Sequence, residues 1–569
     1  MTLEKKKIPC SKQECGRSAV YRTREMAARA LVPFVLVTQV PSTVCDLLKE
    51  LPPTPGPKIQ HNHIHGTLLQ VLFLLRSFQS DSHRPIPSEN GIGSALRRYI
   101  WIASRQNCCL VTRGAFLDVL VSLCGPKISI LEDGEVRELR REALSVLLES
   151  ELLVSGPESL VPAPGSIQLL LSLSRVALAA CVEEPEQWDT PHAPQLLESL
   201  LSSPCYEVRG LALDALLRQL QQRGSSQWLQ QTTLSHLTGR AFHETHPHCL
   251  SKVLEVLCAL GSTGPILWQD GGRIMAQEEV HKRLLSLTKT SAHSVDLQCA
   301  ALSLLSLLVS HAVTSEPQDS GAAWCYAEWA AVVCSGCSEE QPLEVKMTAS
   351  KVLVQSTAPV LTSPHLPLGF DATVSLWKSL VTLLQDEDKD VRDAAADFIC
   401  FVPESLLSPD VCRSSVCPPL ALDSAVGILC RLLHQWGRLS EGVLSLAEWL
   451  MGNEEACPEE SAEAPSLDDE DFLFEKGELN LWAEPVQWVR LLHRHLAALL
   501  QSQDPESPAS DPDRVRTLSD RAQSQTQAAV RSLSSLCPLP QFTGPMEHAR
   551  LTLRLQRAQR AADVLHQIR

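Results

Sequence analysis

The feature that most constrains the fold is a short pattern that recurs along the chain at a nearly constant spacing. Each copy places a charged residue before apolar and alanine-like positions, as in YEVRGLALDAL around Arg209. The charged residues that mark the copies are Arg24, Arg113, Arg209, Lys252, Asp296, Lys346 and Arg392. The last five are separated by 43, 44, 50 and 46 residues, and Gly66 lies 42 residues after Arg24 and 47 before Arg113. HEAT and armadillo repeats have periods of about 40–47 residues, with two or three helices in each.

The composition also favours helical repeats. Aromatic residues make up only 5% of the chain, whereas strands favour aromatic and β-branched side chains. Apolar residues recur three and four positions apart, which is typical of amphipathic helices. Because one helix pair cannot bury its apolar face alone, neighbouring pairs must stack on each other. We therefore predict an all-α fold, an α-solenoid of HEAT/armadillo-like helical repeats.

Stretches of unusual composition divide this array. One stretch is acidic and contains no basic residue, and another is rich in Ser, Pro and Asp, compositions typical of disordered inserts and linkers. Six segments are predicted: a basic N-terminal arm that could be disordered (1–20), the repeat array (21–452), an acidic disordered insert (453–473), a helical continuation of the array (474–501), a linker (502–520) and C-terminal helices (521–569).

Charge and cysteine content narrow the class of protein. The formal net charge is −16, whereas a dedicated nucleic-acid binder is usually basic. Twenty cysteines are present, and the first residues contain no apolar signal-peptide core, so we expect a reducing compartment, the cytoplasm. The longest uncharged stretch, Leu297–Ser315, contains four serines, a glutamine and a histidine. We interpret it as a buried helix and predict no membrane span.

The chain contains no recognisable catalytic or cofactor-binding motif. P-loop, G-x-S-x-G and H-E-x-x-H motifs are all missing from the sequence. The glycines of GIGSALRR, residues 91–98, open a helix but follow no strand, unlike those of a dinucleotide site. The C-x-x-C pair of Cys334 and Cys337 has no second pair to complete a zinc site. We predict that the chain is not an enzyme and binds no cofactor or metal itself.

The stretch QHNHIHGTLLQVLFLL, residues 60–75, places three histidines and an asparagine before an apolar run. We favour a helix that starts near Gly66, with Asn62 as its N-cap. In this interpretation the glycine admits a close neighbouring backbone, and His63 or His65 bonds to a nearby loop. Two alternatives stay open: a contact of His63 or His65 with RNA or a protein partner, and a metal bound by alternate histidines of an extended segment.

Basic and aromatic side chains supply the remaining candidates for contact with RNA or a protein partner. Lys and Arg bind phosphate oxygens, and unstacked bases pack on aromatic side chains, although in each case a solvated or packed side chain is the alternative. The candidates are Lys5, Lys6, Lys7, Arg22 and Arg24 in the basic first 29 residues, the cluster Arg97, Arg98, Trp101 and Arg105, the helix-face residues Arg550, Arg554 and Arg557, and Trp482 as a partner-facing anchor.

Four longer strings resemble one known family. They are YRTREMAARALVPFV, NHIHGTLLQVLFLL, RQNCCLVTRGAFLDVL and LFEKGELNLWAEPVQWV. They follow the family's order, and on them the chain is identified as a member of the thyroid adenoma-associated protein (THADA) family. Family members are far longer, and the resemblance covers their C-terminal portion, so a fragment of a longer protein is one expectation for this chain.

The resemblance implies a large helical-repeat protein similar to a yeast accessory subunit that partners an FtsJ-type methyltransferase. That pair methylates the ribose 2′-hydroxyl of nucleotide 32 in the tRNA anticodon loop, and the accessory subunit is non-catalytic. S-adenosylmethionine would be bound by the partner methyltransferase, and tRNA would be contacted through the complex. The alternatives are a protein-interaction scaffold without an RNA role, which the acidic balance favours, and a non-functional fragment of a longer protein.

Overall fold

All regular structure in the described part of the chain is helical, and no strand occurs in it. The structure is a computed structural model, which describes residues 15–56, 59–81, 91–124, 138–139, 142, 166–182, 192–223, 237, 243–261, 277–289, 294–315, 326–407, 416–452, 483–501, 512–536 and 544–568. Two compact units are present, Met1–Gly271 and Gly272–Arg569.

In the first unit, each helix that carries a copy of the repeat packs on the helix of the next copy. The helices are α1 (Tyr21–Leu31), α2 (Val40–Lys49), α3 (His61–Asp81), α4 (Ile92–Arg98), α5 (Leu110–Cys124), α6 (Ser166–Val182), α7 (His192–Leu201), α8 (Tyr206–Arg223) and α9 (Pro247–Gly261). The packed pairs are α1 with α3, α3 with α5, α5 with α6, α6 with α8 and α8 with α9. Helix α6 fills the gap between the copies at Arg113 and Arg209, where the sequence shows no marker.

The second unit stacks its helices in the same way. The helices are α10 (Gln277–Lys289), α11 (Val295–Ser315), α12 (Tyr326–Gly336), α13 (Leu343–Lys351), α14 (Ala358–Leu361), α15 (Phe370–Leu383), α16 (Lys389–Ala396), α17 (Phe398–Phe401), α18 (Pro418–Gln435), α19 (Leu439–Met451), α20 (Ala483–Gln501), α21 (Pro512–Ser535) and α22 (Gly544–Ile568). Helix α11 packs on α13, α13 on α16, α16 on α18, α18 on α20 and α20 on α22. The predicted fold class, helical repeats, is thus confirmed within each unit.

Helix α11 is long and apolar enough to cross a membrane, over Val295–Val313. Half of that window is buried inside the protein, and Leu302 and Leu305 are among its fully buried side chains. Ser306, also buried, accepts a hydrogen bond from the indole nitrogen of Trp329 at 3.0 Å. A polar side chain that is used in this way belongs to a protein core, so the prediction of a buried helix is confirmed.

The arginine that marks a repeat binds the backbone of the loop before its own helix. In α1, α8 and α16 the Nη1 atom donates to the carbonyl oxygens six and five residues earlier. The acceptors are Ser18 and Ala19 for Arg24, Ser203 and Pro204 for Arg209, and Asp386 and Glu387 for Arg392, at 2.6–3.0 Å. One side chain thereby satisfies two carbonyl groups that the short loop leaves without a backbone donor.

Marker residues also bind the next repeat. Arg209 donates two hydrogen bonds, at 2.9 and 2.7 Å, to the carboxylate of Glu244, which lies just before α9. Lys346 of α13 donates to both carboxylate oxygens of Asp386, before α16, at 3.2 and 2.9 Å. The side chains of Glu244 and Asp386 are each only 3% exposed. These buried pairs fix the register of one helix pair on the next, because a buried charge needs its partner.

One predicted boundary is wrong. Helix α21 begins at Pro512, so residues 512–520 of the predicted linker are helical. Proline is well tolerated at the first helical position, and an acidic side chain in the first turn, here Asp513, favours the helix N-terminus. The same Pro and Asp residues that indicated a linker therefore start a helix. The predicted acidic insert, residues 453–473, lies outside the described residues.

Replacement of Asp386 by alanine should lower the free energy of unfolding by about 3 kcal/mol, because it leaves the ammonium of Lys346 buried without its partner. The matched control is Glu441→Ala, which removes an exposed pair with Arg438, 51% and 47% exposed, and should cost less than about 1 kcal/mol. Urea denaturation followed by circular dichroism compares the two variants. Equal losses would show that the buried pair does not hold the repeats together.

Candidate functional site

The histidine stretch begins helix α3. Backbone amides of His63 and Ile64 donate to the carbonyl oxygen of Gln60 at 3.0 and 3.1 Å, so the helix starts at His61, five residues before the predicted start. The prediction of Asn62 as N-cap is therefore wrong. Alternate residues of a helix point about 200° apart, so His63 faces away from His61 and His65, and the three histidines do not share one face as they would in an extended segment. In the part of the chain that the structure describes, no group of three or more His, Cys, Asp or Glu side chains could hold a metal.

Arg24 and His65 form a buried polar contact between α1 and α3. Arg24 Nε donates to His65 Nδ1 at 3.1 Å, and Arg24 Nη1 donates to Asn62 Oδ1 at 3.2 Å. Arg24 is 6% exposed and His65 is 4% exposed. Burial, followed by the charge of Arg24, lowers the pKa of His65 to about 4. The neutral ring can therefore accept the bond from Arg24, and the predicted contact of Arg24 and His65 with RNA or a partner is corrected to a contact between repeats.

Gly66 explains how α1 approaches α3. A Cβ atom at this position would lie 1.7 Å from the carbonyl oxygen of Gly16, a distance at which no side chain is possible. The predicted close approach of a neighbouring backbone is thus confirmed. It brings the segment before α1 across the second turn of α3, where Arg24 reaches both the loop carbonyls and His65.

His63 occupies an intermediate position. It is half-buried, and its Nε2 lies 3.5 Å from the Glu50 carboxylate at the end of α2. Burial, followed by the charge of Arg17, lowers the pKa of His63, and Glu50 partly opposes this shift. His63 thus packs between helices as a structural histidine would, and its contact with RNA or a partner stays a prediction.

The cluster around Trp101 separates into buried and exposed parts. Trp101 is only 8% exposed, so its ring cannot receive an unstacked base, and that prediction is wrong. Arg97 is hydrogen-bonded to Glu138 and lies within 3.8 Å of Glu142. Arg98 and Arg105 are exposed. Of the four candidates, these last two arginines are the exposed ones, and their contact with RNA stays a prediction.

Among the other N-terminal candidates for contact with RNA or a partner, the structure describes Arg22. Arg22 lies on the exposed side of α1 and donates to Glu25 at 2.9 Å. Glu25 also pairs with Arg29 at 2.7 Å, so two arginines share one carboxylate and the face keeps a positive charge. Lys5, Lys6, Lys7 and Trp482 lie outside the described residues.

The C-terminal arginines lead to a site that the sequence did not indicate. Arg550, Arg554 and Arg557 are half-buried in α22, which packs on α19, α20 and α21. Arg557 lines a cavity of about 430 Å³ in the second unit. Its lining residues come from four separate parts of the chain: Lys378, Glu448, Trp449, Leu450, Gly452, Trp488 and Arg557.

Aromatic rings and cations shape this cavity, which we call the tryptophan cavity. The rings of Trp449 and Trp488 meet edge to face, with centroids 5.1 Å apart and an interplanar angle of 64°. The Lys378 ammonium lies 6.0 Å from the centroid of the Trp449 ring, within the range of a cation–π interaction. Glu448 is the acidic member, and its carboxylate lies 3.2 Å from Arg514 and 3.8 Å from Arg521. The cavity therefore combines an aromatic wall with a mainly polar lining in which Lys378 and Arg557 outnumber the one acidic side chain.

Comparison with known proteins identifies the family. Residues 7–74 match a family described as "Trm732, C-terminal TPR repeats". The "tRNA (32-2'-O)-methyltransferase regulator THADA" of Gallus gallus is 33% identical over 578 residues, 97% of this chain. The Homo sapiens protein of the same name is 33% identical over 580 residues, 95% of this chain. The chain belongs to the THADA family.

The chain spans only part of its THADA relatives, 30% of the Gallus gallus protein and 28% of the Homo sapiens protein. The relatives are named as regulators of a methyltransferase and not as enzymes, which agrees with the predicted lack of catalysis. The Arg24, His65 and Gly66 network lies inside the matched repeats, residues 7–74. Among solved structures, importin beta in an ammonium sulfate condition aligns with 97% of this chain and 64% of its own chain, with 12% identity and a TM-score of 0.39.

The lowered pKa of His65 predicts a loss of stability on acidification. Between its unfolded pKa of about 6.5 and its folded pKa of about 4, the unfolded chain binds a proton that the folded chain excludes. The free energy of unfolding should therefore fall by roughly 2 kcal/mol from this group between pH 7 and pH 5. His65→Asn should reduce the difference between urea midpoints at the two pH values, whereas His434→Asn, at an exposed position, should not. An unchanged pH dependence in His65→Asn would contradict the assignment.

Proposed function

We propose that this chain is a non-catalytic accessory part of a tRNA methylation complex. It would partner an FtsJ-type methyltransferase in the 2′-O-ribose methylation of nucleotide 32 in the tRNA anticodon loop. The observation that carries the proposal is the 33–34% identity to the THADA regulators over at least 95% of the chain. A relationship that extends along the whole chain favours a shared role for this portion of the protein.

A repeat protein can support such a reaction without taking part in the chemistry. Methyl transfer requires the ribose hydroxyl to be held in line with the methyl donor, and correct orientation alone supplies a large share of rate acceleration. In the proposed complex the methyltransferase binds S-adenosylmethionine, and the helical repeats hold the enzyme, the tRNA or both in the productive orientation. The reaction would take place in the cytoplasm.

The distribution of charge is consistent with this division of labour. The chain as a whole carries a net charge of −16, so it is not a general binder of nucleic acid. Exposed arginines such as Arg98 and Arg105 would contact phosphates at a few positions. Phosphate contacts of this kind set the orientation of an RNA without reading its sequence.

The scaffold alternative rests on a different observation. Phe34 and Leu36, in the turn between α1 and α2, are 67% and 66% exposed, and large exposed apolar side chains favour protein interfaces. A scaffold would bind its protein partner without any effect on tRNA. The two functions therefore differ in the methylation state of nucleotide 32.

The deciding experiment combines association with a methylation assay. The chain is co-expressed with the FtsJ-type methyltransferase of the same organism in cells that lack their own regulator. We expect the two proteins to co-purify and 2′-O-methylation at nucleotide 32 to be restored. If a chain with a normal helical circular dichroism spectrum binds the enzyme without restoring methylation, the scaffold function is supported instead. If it neither binds nor restores methylation, the proposal fails.

Charge reversal at the exposed arginines should weaken contact with tRNA. The double variant Arg98→Glu and Arg105→Glu should reduce photocrosslinking of tRNA to the complex by about threefold or more, because each lost phosphate contact weakens binding and its salt dependence. Arg218→Glu, an exposed arginine of α8 in the same unit, is the control for the change in total charge. Equal effects of the control and the double variant would reject these positions as a contact site.

A further inference from the structure

The tryptophan cavity has the size of a ligand site. Its volume of about 430 Å³ lies within the range of roughly 300–1,000 Å³ that is usual for small-molecule pockets. Trp449 and Trp488 supply its apolar surface. Lys378 and Arg557, which are far apart in the sequence, supply its cationic groups. None of the lining residues is one of the charged residues that mark the repeats.

Lys378 points to the charge of the ligand. Its ammonium donates to the hydroxyl of Ser445 at 2.9 Å, and among the described residues it forms no ion pair with a carboxylate. Burial lowers the pKa of Lys378, and the charge of Glu448 partly opposes this shift. The acidic group in the cavity, Glu448, is engaged by Arg514 and Arg521. An anion that enters the cavity would supply the partner that a half-buried ammonium lacks.

The elements that flank the cavity are basic. Helices α21 and α22 each contain four arginines and two acidic residues, in contrast to the acidic balance of the whole chain. Arg521 donates to the carbonyl oxygen of Gly452 at 2.9 Å, which holds the end of α19, and with it the wall of the cavity, against α21. A polyanion that approaches this side would therefore meet attraction around the cavity as well as inside it.

We propose that the tryptophan cavity binds one unstacked nucleotide of a single-stranded RNA segment. The phosphate lies on Lys378 and Arg557, and the base packs against Trp449, whose ring the buried Trp488 supports edge to face. An aromatic wall beside cations is the arrangement by which proteins hold single-stranded nucleic acid without sequence preference. An acidic protein segment would match the cations but would leave the accessible part of the Trp449 indole without a planar partner. The proposal rests on the proposed function only for the identity of the RNA, an anticodon loop.

Direct binding tests the cavity without the methyltransferase. The probe is a fluorescein-labelled oligouridylate of ten nucleotides, titrated with the whole chain and followed by anisotropy. Lys378→Met should weaken binding about tenfold and reduce the slope of log affinity against log salt by about one. Lys378→Arg, which keeps the charge, should stay within about threefold of the parent. Trp449→Leu should weaken binding about tenfold, the usual size of one lost stacking contact.

The control and the opposing outcomes separate the cavity from general electrostatics. Arg531→Gln removes an exposed arginine of α21 that does not line the cavity and should leave affinity within about twofold. If Arg531→Gln and Lys378→Met weaken binding equally, the surface attracts RNA without a site and the proposal is overturned. If Lys378→Met leaves RNA affinity unchanged but abolishes co-purification with the methyltransferase, the occupant is a protein segment, which also overturns it.

The same variants distinguish this proposal from the proposed function. Restored methylation of nucleotide 32 together with unchanged RNA affinity in Lys378→Met would overturn the cavity and leave the regulatory role intact. Oligouridylate binding that depends on Lys378 and Trp449, without any restored methylation, would support the cavity and remove the role. Thermal unfolding of each variant, followed by circular dichroism, confirms that the loss of binding does not come from loss of the fold.

Discussion

The structure depends on long cationic side chains that cross from one helical repeat to the next. Arg209 covers two carbonyl groups of the loop before its helix and, with the rest of its guanidinium, forms a bidentate pair with Glu244 of the following repeat. Apolar side chains alone allow neighbouring helices to slide, because hydrophobic contact has no direction. A buried charged pair has direction and a high cost of misplacement. The leucine-rich core therefore supplies cohesion, and the cations set the register.

The same interaction explains which part of the fold the sequence could predict. A cation that recurs in most of the repeats leaves a periodic mark, and the spacing of the seven charged residues from Arg24 to Arg392 predicted helical repeats. The copy at α6 carries no such mark, and its one sign in the sequence is the 96-residue interval between Arg113 and Arg209, about two repeat lengths. The predicted linker was misjudged because Pro and Asp are favoured in loops and also at helix N-termini. Composition cannot separate these two positions without the neighbouring helix.

Candidate contacts were harder to predict than the fold, because burial is decided by tertiary packing. Arg24 lies in a basic stretch and resembles an RNA-binding residue. It is nevertheless only 6% exposed, and it donates a hydrogen bond to His65 of α3. Trp101 lies among arginines but belongs to the core. Gly66 could be predicted correctly, since a glycine in an apolar helix usually marks a close approach. The tryptophan cavity could not be predicted, because Lys378 and Arg557 are 179 positions apart in the sequence.

The acidic balance of the chain has a consequence for the proposed RNA contact. At physiological ionic strength a charge is screened beyond about 8 Å, so distant acidic residues do not cancel the attraction of Lys378 and Arg557 for a phosphate bound between them. They do oppose the approach of RNA to the rest of the surface. In the proposed arrangement, an RNA gains the most binding free energy where it can place an unstacked nucleotide in the cavity. A double helix has no such nucleotide, whereas a loop does. Local cations in an acidic protein would thus select RNA by the presence of an open loop, a selectivity that a uniformly basic surface does not provide.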